Sequence, residues 1–300
     1  MLYDLFIEPW TIGAWMWRGV LVSSLVAVSC AVLGTFLYLK RLSLIADAMA
    51  HVALPGIVAA YLLTGSQSTS TMLLGAMLAG LVTSGLITAV ERYGHARTDA
   101  AIGIVFTSLF ALGVILLSTL ASDAHLDLNC VLYGNVLGVA DHSIVLLAVV
   151  TTIILLLTAL LFRPLQLATF DPALAASFGI PVGLIHAGLM GTLSVTTVAS
   201  FEAVGAILVI AAIITPAATA HLIAQRLETM LLIAVAHGLL SAILGMYLSI
   251  WLECSSAGAM VTTGALLYAL TLAFTQVRQR WIRAHNRRHL NRPTTTHQMA

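Results

Sequence analysis

The sequence predicts an all-α fold, a polytopic membrane helix bundle with about nine transmembrane helices. Two observations predict this class. Of the 300 residues, 60% are hydrophobic and only 8% are charged, whereas soluble proteins carry about 25% charged residues. The apolar residues also gather into runs of about 20 residues, the length that an α-helix needs to cross a bilayer.

The composition also excludes several classes of protein. So few charges cannot coat a water-facing surface, and a formal net charge of +1 does not recruit nucleic acid. The cysteines, Cys30, Cys130 and Cys254, are isolated and lack CxxC spacing, which argues against a zinc ribbon, an iron–sulfur site or a disulfide scaffold. Lipid is therefore the expected solvent for most of the chain.

The apolar runs define the expected membrane-spanning helices. They cover residues 15–38, 43–63, 71–90, 101–121, 143–162, 183–200, 203–224, 229–251 and 258–275. The run at 130–139 is too short to span, so we expect a re-entrant or interfacial piece there. This pattern predicts one transmembrane domain over 1–276. A basic cytoplasmic tail, predicted to be disordered, follows at 277–300 and lies beside anionic membrane lipid.

Basic residues predict the orientation, because Lys and Arg stay on the cytoplasmic side of membrane proteins. With the N-terminus outside, all but one of the 13 Lys and Arg residues fall on the cytoplasmic side. They are Lys40, Arg41, Arg92, Arg97, Arg163, Arg226, Arg278, Arg280, Arg283, Arg287, Arg288 and Arg292. Arg18 is the exception. An odd number of crossings then predicts an outer N-terminus and a cytoplasmic C-terminus.

The longest cytoplasmic connection, 163–181, contains the signals of a short helix. Asp171 and Pro172 have the form of a helix start, with Asp as the N-cap and Pro in the first turn. Residues 173–178 favour a helix, and Gly179 is a stop signal. The spacing fits a surface loop with a helical turn and, equally well, a docking element for a soluble partner.

Asp47 and His51 stand out because charged groups inside a membrane are costly and mark functional sites. They are four residues apart, so they share one face of the second helix, and Pro55 follows directly and frees backbone carbonyls beside them. Carboxylate and imidazole ligands suit Mn²⁺, Fe²⁺ or Zn²⁺ and are poor for Cu(I). The alternative is an Asp–His hydrogen bond that neutralises both groups. Two ligands do not close a metal site, and the rest would come from water, freed backbone or a second copy of the same helix.

Glu202, His186 and His237 are among the other ionisable residues within the apolar runs or at their ends. We place Glu202 at the start of the seventh helix, either as a cation attractor at the outer mouth of a pathway or as an interfacial capping acid. His186 and His237 are lone histidines in apolar surroundings, and we interpret each as an interhelical hydrogen-bonding group. The sequence contains no Walker A or HExxH motif, so neither ATP hydrolysis nor intramembrane zinc proteolysis is expected of it.

Five segments in order resemble one known family, the manganese/zinc/iron permeases of metal ABC importers. They are LIADAMAHVALPGIVAAYLL (44–63), TDAAIGIVFTSLFALGVILL (98–117), HLDLNCVLYGNVLGV (125–139), FDPALAASFGIP (170–181) and EAVGAILVIAAIITPAATAHL (202–222). The resemblance covers about residues 40–270, and the basic tail lies outside it.

The resemblance implies a multi-pass permease of a bacterial inner (plasma) membrane, with a fold similar to that of large-type ABC importers. The implied partners are a cytoplasmic ABC ATPase, an extracytoplasmic metal-binding protein and a second permease copy or paralogue. No cofactor is expected to be bound permanently. Asp47 and His51 take the metal role, with manganese slightly favoured, and 171–181 becomes the ATPase-coupling helix. The coupling residues are Asp171, Pro172, Ala175, Ala176 and Gly179. The alternative reading is a stand-alone secondary metal-ion transporter or channel.

Overall fold

The structure, a computed structural model, describes residues 14–42, 44–66, 68–120, 136 and 138–290, and the secondary structure in these ranges is helical. The helices are α1 Ala14–Leu39, α2 Ile45–Thr64, α3 Thr69–Gly94, α4 Thr98–Leu120, α5 Asp141–Leu160, α6 Phe162–Phe170, α7 Pro172–Ser177, α8 Val182–Val204, α9 Ala206–Ile223, α10 Leu227–Trp251 and α11 Ser256–Leu290.

Within these ranges, 9 helices are long and apolar enough to cross a membrane, namely all except α6 and α7. The prediction of a nine-helix bundle is therefore confirmed for the described part of the chain. Most of the predicted re-entrant run at 130–139 lies outside the described residues. The last helix continues to Leu290, although we predicted disorder from 277, because no Gly or Pro interrupts 277–290. The domain boundary at 276 stays a prediction.

Helix α1 lies at the centre of the bundle. Its most apolar stretch is 72% buried, whereas that of α4 is 22% buried. The burial of α1 is high because α5, α8, α9 and α10 all pack on it. Its buried hydroxyls bond to its own backbone: Ser23 donates to the Gly19 carbonyl at 2.7 Å, Ser29 to Leu25 at 3.0 Å and Thr35 to Ala31 at 2.8 Å. These polar groups are thus satisfied inside the helix.

Small residues let the helices approach closely. A Cβ on Gly34 of α1 would lie 1.9 Å from the Ile213 carbonyl oxygen of α9. A Cβ on Gly245 of α10 would lie 2.4 Å from the Met260 Cα of α11. Backbone contact of this kind is typical of membrane helices, since lipid offers no hydrophobic drive for their association. Hydroxyls add cross-links, such as the 2.7 Å bond from Ser241 to the Met260 carbonyl.

An ion pair joins the N-terminal parts of α1 and α5. The Arg18 guanidinium lies 2.6 Å from the Asp141 carboxylate. Because the starts of the first and fifth membrane helices touch, they lie on the same side of the membrane, as the predicted alternation requires. The pair also neutralises Arg18, the one basic residue that departs from the predicted orientation.

Candidate metal-transport site and docking helix

The first two turns of α2 carry the candidate metal ligands. His51 Nε2 and Asp47 Oδ1 are 3.6 Å apart, which is too long for a hydrogen bond. Two ligand atoms of a tetrahedral metal site, each about 2.1 Å from the ion, are about 3.4 Å apart. The separation matches two ligands of one metal ion and also a loose Asp–His ion pair, so the metal role and the neutralising contact both stay predictions.

Two aromatic rings of α4 orient the His51 imidazole. It stacks on Phe106, with ring centroids 5.9 Å apart, and meets the edge of Phe110 at 5.4 Å. Sequence reasoning did not single out these phenylalanines. The available signal was their four-residue spacing, which places both on one face of α4.

Pro55 and Gly56 lie where α2 packs tightly against its neighbours. The helix is continuous through Pro55, but proline has no N–H to donate to the carbonyl four residues earlier, which belongs to His51. Gly113 of α4 packs against the Pro55 ring, since a Cβ there would lie 2.9 Å from it. Gly56 packs against Gly75 of α3, where a Cβ on either would meet the other's carbonyl at 2.5 Å. The freed His51 carbonyl is thus a further oxygen beside the pair.

Within a single chain, the Asp47 and His51 side chains are not fully covered by other residues. The His51 and Asp47 side chains are 40% and 46% exposed, although ionisable groups in membrane helices face a bundle interior or an aqueous cavity. Among the described residues, no group of three or more His, Cys, Asp or Glu side chains is placed to hold a metal ion. One chain therefore presents two side-chain ligands on an uncovered face.

Glu202 lies at the end of α8, not at the start of the following helix as predicted. The break falls at Gly205, which has φ +81° and separates α8 from α9. That conformation favours glycine. Hydropathy did not reveal the break, because Gly205 sits inside a continuous apolar run. The Glu202 side chain lies outside the described part of the structure, so its proposed pathway role stays a prediction.

The predicted short helix in the cytoplasmic connection is present as α7. The Asp171 carboxylate accepts a hydrogen bond from the Leu174 N–H at 2.9 Å, and Pro172 occupies the first turn. At the other end Gly179 has φ +76°. The Ile180 N–H bonds to the Ala175 carbonyl at 3.1 Å and the Gly179 N–H to Ala176 at 3.0 Å, the pattern of a Schellman cap. Both helix ends are thus fixed by local hydrogen bonds.

The outer surface of α7 is apolar. Phe178 and Leu174 are 71% and 44% exposed, whereas Ala175 is fully buried. Ala176 is exposed. We predicted both alanines as coupling residues, but the helix turns Ala175 inward. A partner would meet Leu174, Ala176 and Phe178 instead.

A polar cavity of about 350 Å³ lies behind the start of α7. Its charged and titratable lining residues are Lys40, Arg41, Glu91 and His186, and Pro172 of α7 closes one side. Burial lowers the pKa of Lys40. Helix α7 packs mainly on α6, so a void rather than close-packed side chains lies beneath its N-terminal turn.

The chain is similar to several transport proteins of known name. The manganese transport system membrane protein MntD of Bacillus subtilis is 41% identical over 262 residues, covering 83% of this chain and 88% of the relative. The zinc transport system membrane protein TroD of Treponema pallidum is 40% identical, covering 85% and 72%. The solved structure of PsaBC from Streptococcus pneumoniae in complex with Fab matches with a TM-score of 0.77 at 31% identity, over 90% of this chain and 95% of that one.

The family match covers most of the sequence. The model of the ABC 3 transport family matches residues 13–275, a range that includes all nine candidate membrane helices up to the basic end of α11. Together with the apolar helices, this match identifies a multi-pass permease of the bacterial plasma membrane. The chain belongs to the ABC 3 transport family.

Proposed function

We propose that this chain is the permease subunit of an ABC importer that carries a divalent transition metal ion into the cytoplasm. The observation that carries the proposal is the Asp47–His51 pair, 3.6 Å apart and half-exposed on a membrane helix. A carboxylate offsets part of the charge of the desolvated ion, and an imidazole supplies the nitrogen that first-row metals favour.

A second permease copy completes the site. The uncovered face of α2 needs a partner, because half-exposed ionisable side chains are unfavourable against lipid. Two-fold pairing brings the same surface of each subunit together. The metal then meets two carboxylates and two imidazoles, which neutralise its charge and fill four positions. This arrangement also accounts for a candidate site with only two side-chain ligands in each chain.

Manganese is the favoured cargo, with zinc and iron as the alternatives. The ligand set of nitrogen and oxygen donors suits all three ions, and relatives at similar identity carry manganese and zinc in their names. An extracytoplasmic metal-binding protein delivers the ion at the outer face. A separate cytoplasmic ATPase hydrolyses ATP and docks at α7, where Leu174 and Phe178 present an apolar surface.

The test is uptake by cells that carry single substitutions at matched expression. Asp47→Asn keeps the shape of the side chain and removes its charge, and His51→Leu keeps the bulk against Phe106 and removes the ligand. Loss of a residue that only hydrogen-bonds to a metal ligand already lowers metal affinity or activity about 10–100-fold. We therefore expect either variant to lose at least that much uptake of radiolabelled Mn²⁺, Zn²⁺ and Fe²⁺.

Asp99→Asn is the matched control, because it makes the same chemical change at an exposed position in the first turn of α4. It should transport as the unmodified protein does. Uptake at the normal rate in both Asp47→Asn and His51→Leu would show that the pair is a structural contact. The relative rates for the three metals identify the preferred cargo.

A further inference from the structure

His237 is a buried histidine whose ring nitrogens have no well-formed hydrogen bond among the described residues. It lies near the middle of α10 and is 6% exposed. No described residue offers either ring nitrogen a hydrogen bond, and the nearby Gly264 backbone interacts with the ring without reaching hydrogen-bond geometry. The expected interhelical hydrogen bond of His237 is thus represented only by this loose contact with Gly264 of α11, which leaves the ring nitrogens without a well-formed bond among the described residues. A buried polar group of this kind requires a partner of some other type.

A small cavity lies beside the ring where α1, α9, α10 and α11 meet. Its volume is about 30 Å³, and a single water needs about 10–15 Å³. The polar side chains in its lining are His237, Ser23, Thr215 and Ser241. Ser23 and Ser241 already donate their hydroxyl protons to backbone carbonyls. Their oxygen lone pairs therefore remain able to accept a hydrogen bond.

Helix α9 adds a backbone acceptor to the same cavity. Pro216 lies inside α9 and lines the cavity together with Ala212. Because proline has no N–H, the carbonyl four residues earlier loses its helical partner, and that carbonyl belongs to Ala212. The cavity thus brings together an imidazole, hydroxyl acceptors and a freed carbonyl in the middle of an apolar bundle.

Charge and size restrict what can bind there. None of the described residues that line the cavity carries a carboxylate, so a divalent metal ion would stay uncompensated at the centre of the membrane. The volume also excludes organic ligands. A neutral molecule that both donates and accepts hydrogen bonds satisfies the imidazole and the acceptors together.

We propose that this cavity is a hydration site in which one or two internal waters bridge His237 to Ser23, Ser241 and the Ala212 carbonyl. A single water accepts from one imidazole nitrogen and donates to two of these three acceptors. With two waters, the first donates to one serine oxygen and to the second water, which donates to the other serine oxygen and to the Ala212 carbonyl. A water in this position lets α9 bend at Pro216 without leaving a backbone acceptor unpaired. This site is separate from Asp47 and His51 and does not depend on the transported ion.

The direct test is a cryo-electron microscopy map of the full transporter in lipid nanodiscs, at a resolution that orders waters. We expect density within hydrogen-bond distance of a His237 ring nitrogen and of Ser23 or Ser241. An ordered ring with no density in the cavity would overturn the proposal. A direct bond from the ring to protein, or density with the short contacts of a metal ion, would overturn it as well.

A thermal double-mutant cycle gives an independent test. His237→Leu and Ser23→Ala remove groups on different helices that have no direct hydrogen bond, so any coupling between them passes through the cavity that both line. We expect the melting temperature of the double variant to fall by less than the sum of the decreases in the two single variants. Additive decreases would overturn the proposal. Should His237→Leu fail to fold, His237→Gln takes its place in the cycle.

Ser249→Ala provides the control for that cycle. Like Ser23, Ser249 is a buried serine that donates to a carbonyl of its own helix, here α10, at 2.8 Å to Met246. It does not line the cavity. Combined with His237→Leu it should give additive losses. A Ser249 coupling as large as that of Ser23 would mean that the effect is a general response of α10, which contradicts a bridging water.

Discussion

Single glycines allow the backbones of α1 and α9 to touch. At Gly34 a Cβ would lie 1.9 Å from a backbone oxygen, and backbone cannot move aside as a flexible side chain can. Overpacking of this kind costs about 1–3 kcal/mol. Gly34→Ala should therefore lower the melting temperature of the purified permease, because α1 and α9 are forced apart.

Gly103→Ala is the matched control. Gly103 lies inside α4, and a Cβ there would meet nothing within 4 Å. Glycine in a helix interior is about 0.5–1 kcal/mol less favourable than alanine, so this variant should melt at the same or a higher temperature. Equal destabilisation by Gly34→Ala and Gly103→Ala would contradict the close crossing of α1 and α9.

The candidate metal ligands were predictable from the sequence, but their surroundings were not. Asp47 and His51 could be paired because four-residue spacing places two side chains on one helix face. Their 3.6 Å separation and the Phe106 ring against His51 depend on how α2 packs on α4. That packing rests on contacts of Gly113 with Pro55, residues far apart in sequence, so no local pattern revealed it.

At the level of helices, α7 offers a test of ATPase docking. Phe178 is 71% exposed, so Phe178→Glu leaves the bundle intact and places a charge on the apolar face proposed to enter the ATPase. Burying an unpaired charge at an interface costs several kcal/mol. We expect the partner ATPase to bind more weakly and to lose its stimulation by the permease.

Gln166→Glu is the matched control for this experiment, because it adds the same charge at an exposed position of the neighbouring helix α6. Ala175 is unsuitable for such a test, since a glutamate at this buried position would disrupt α7 itself. If the ATPase co-purifies with the Phe178→Glu permease and is stimulated as before, α7 is not the docking element.

The start and stop of α7 were predictable because they are encoded locally. An Asp N-cap, a first-turn Pro and a Gly with positive φ each act within a few residues. The inward turn of Ala175 was not predictable, since it depends on packing against the rest of the fold. The junction of α8 and α9 was misplaced for a related reason: Gly205 breaks the helix inside a run that is apolar throughout.

For the whole molecule, the charge pattern makes a prediction about topology. All the basic residues except Arg18 share one side of the predicted bundle, and Arg18 pairs with Asp141 at the opposite end of α1 and α5. A reporter fused after residue 280 should therefore be active only in its cytoplasmic form. An externally active reporter at this position would reverse the assignment of every loop.

The number of helices was predictable from hydropathy, because each crossing needs about 20 apolar residues whatever its neighbours are. The arrangement of the helices was not. The most apolar stretches of α1 and α4 have similar mean hydropathies, 2.3 and 2.5, yet 72% of the α1 stretch is buried against 22% for α4. Burial here follows from which helices surround it, and that is a property of the complete bundle.

The central position of α1 has a consequence for biogenesis. Helix α1 precedes α8, α9 and α10 in the chain, so during synthesis it lies in the lipid before the helices that later enclose it. Ser23, Ser29 and Thr35 are buried in the finished protein, but each hydroxyl bonds to a carbonyl four residues earlier in α1 itself. These three hydroxyls are therefore satisfied in the newly inserted helix before its neighbours arrive. It can persist alone until assembly brings its neighbours.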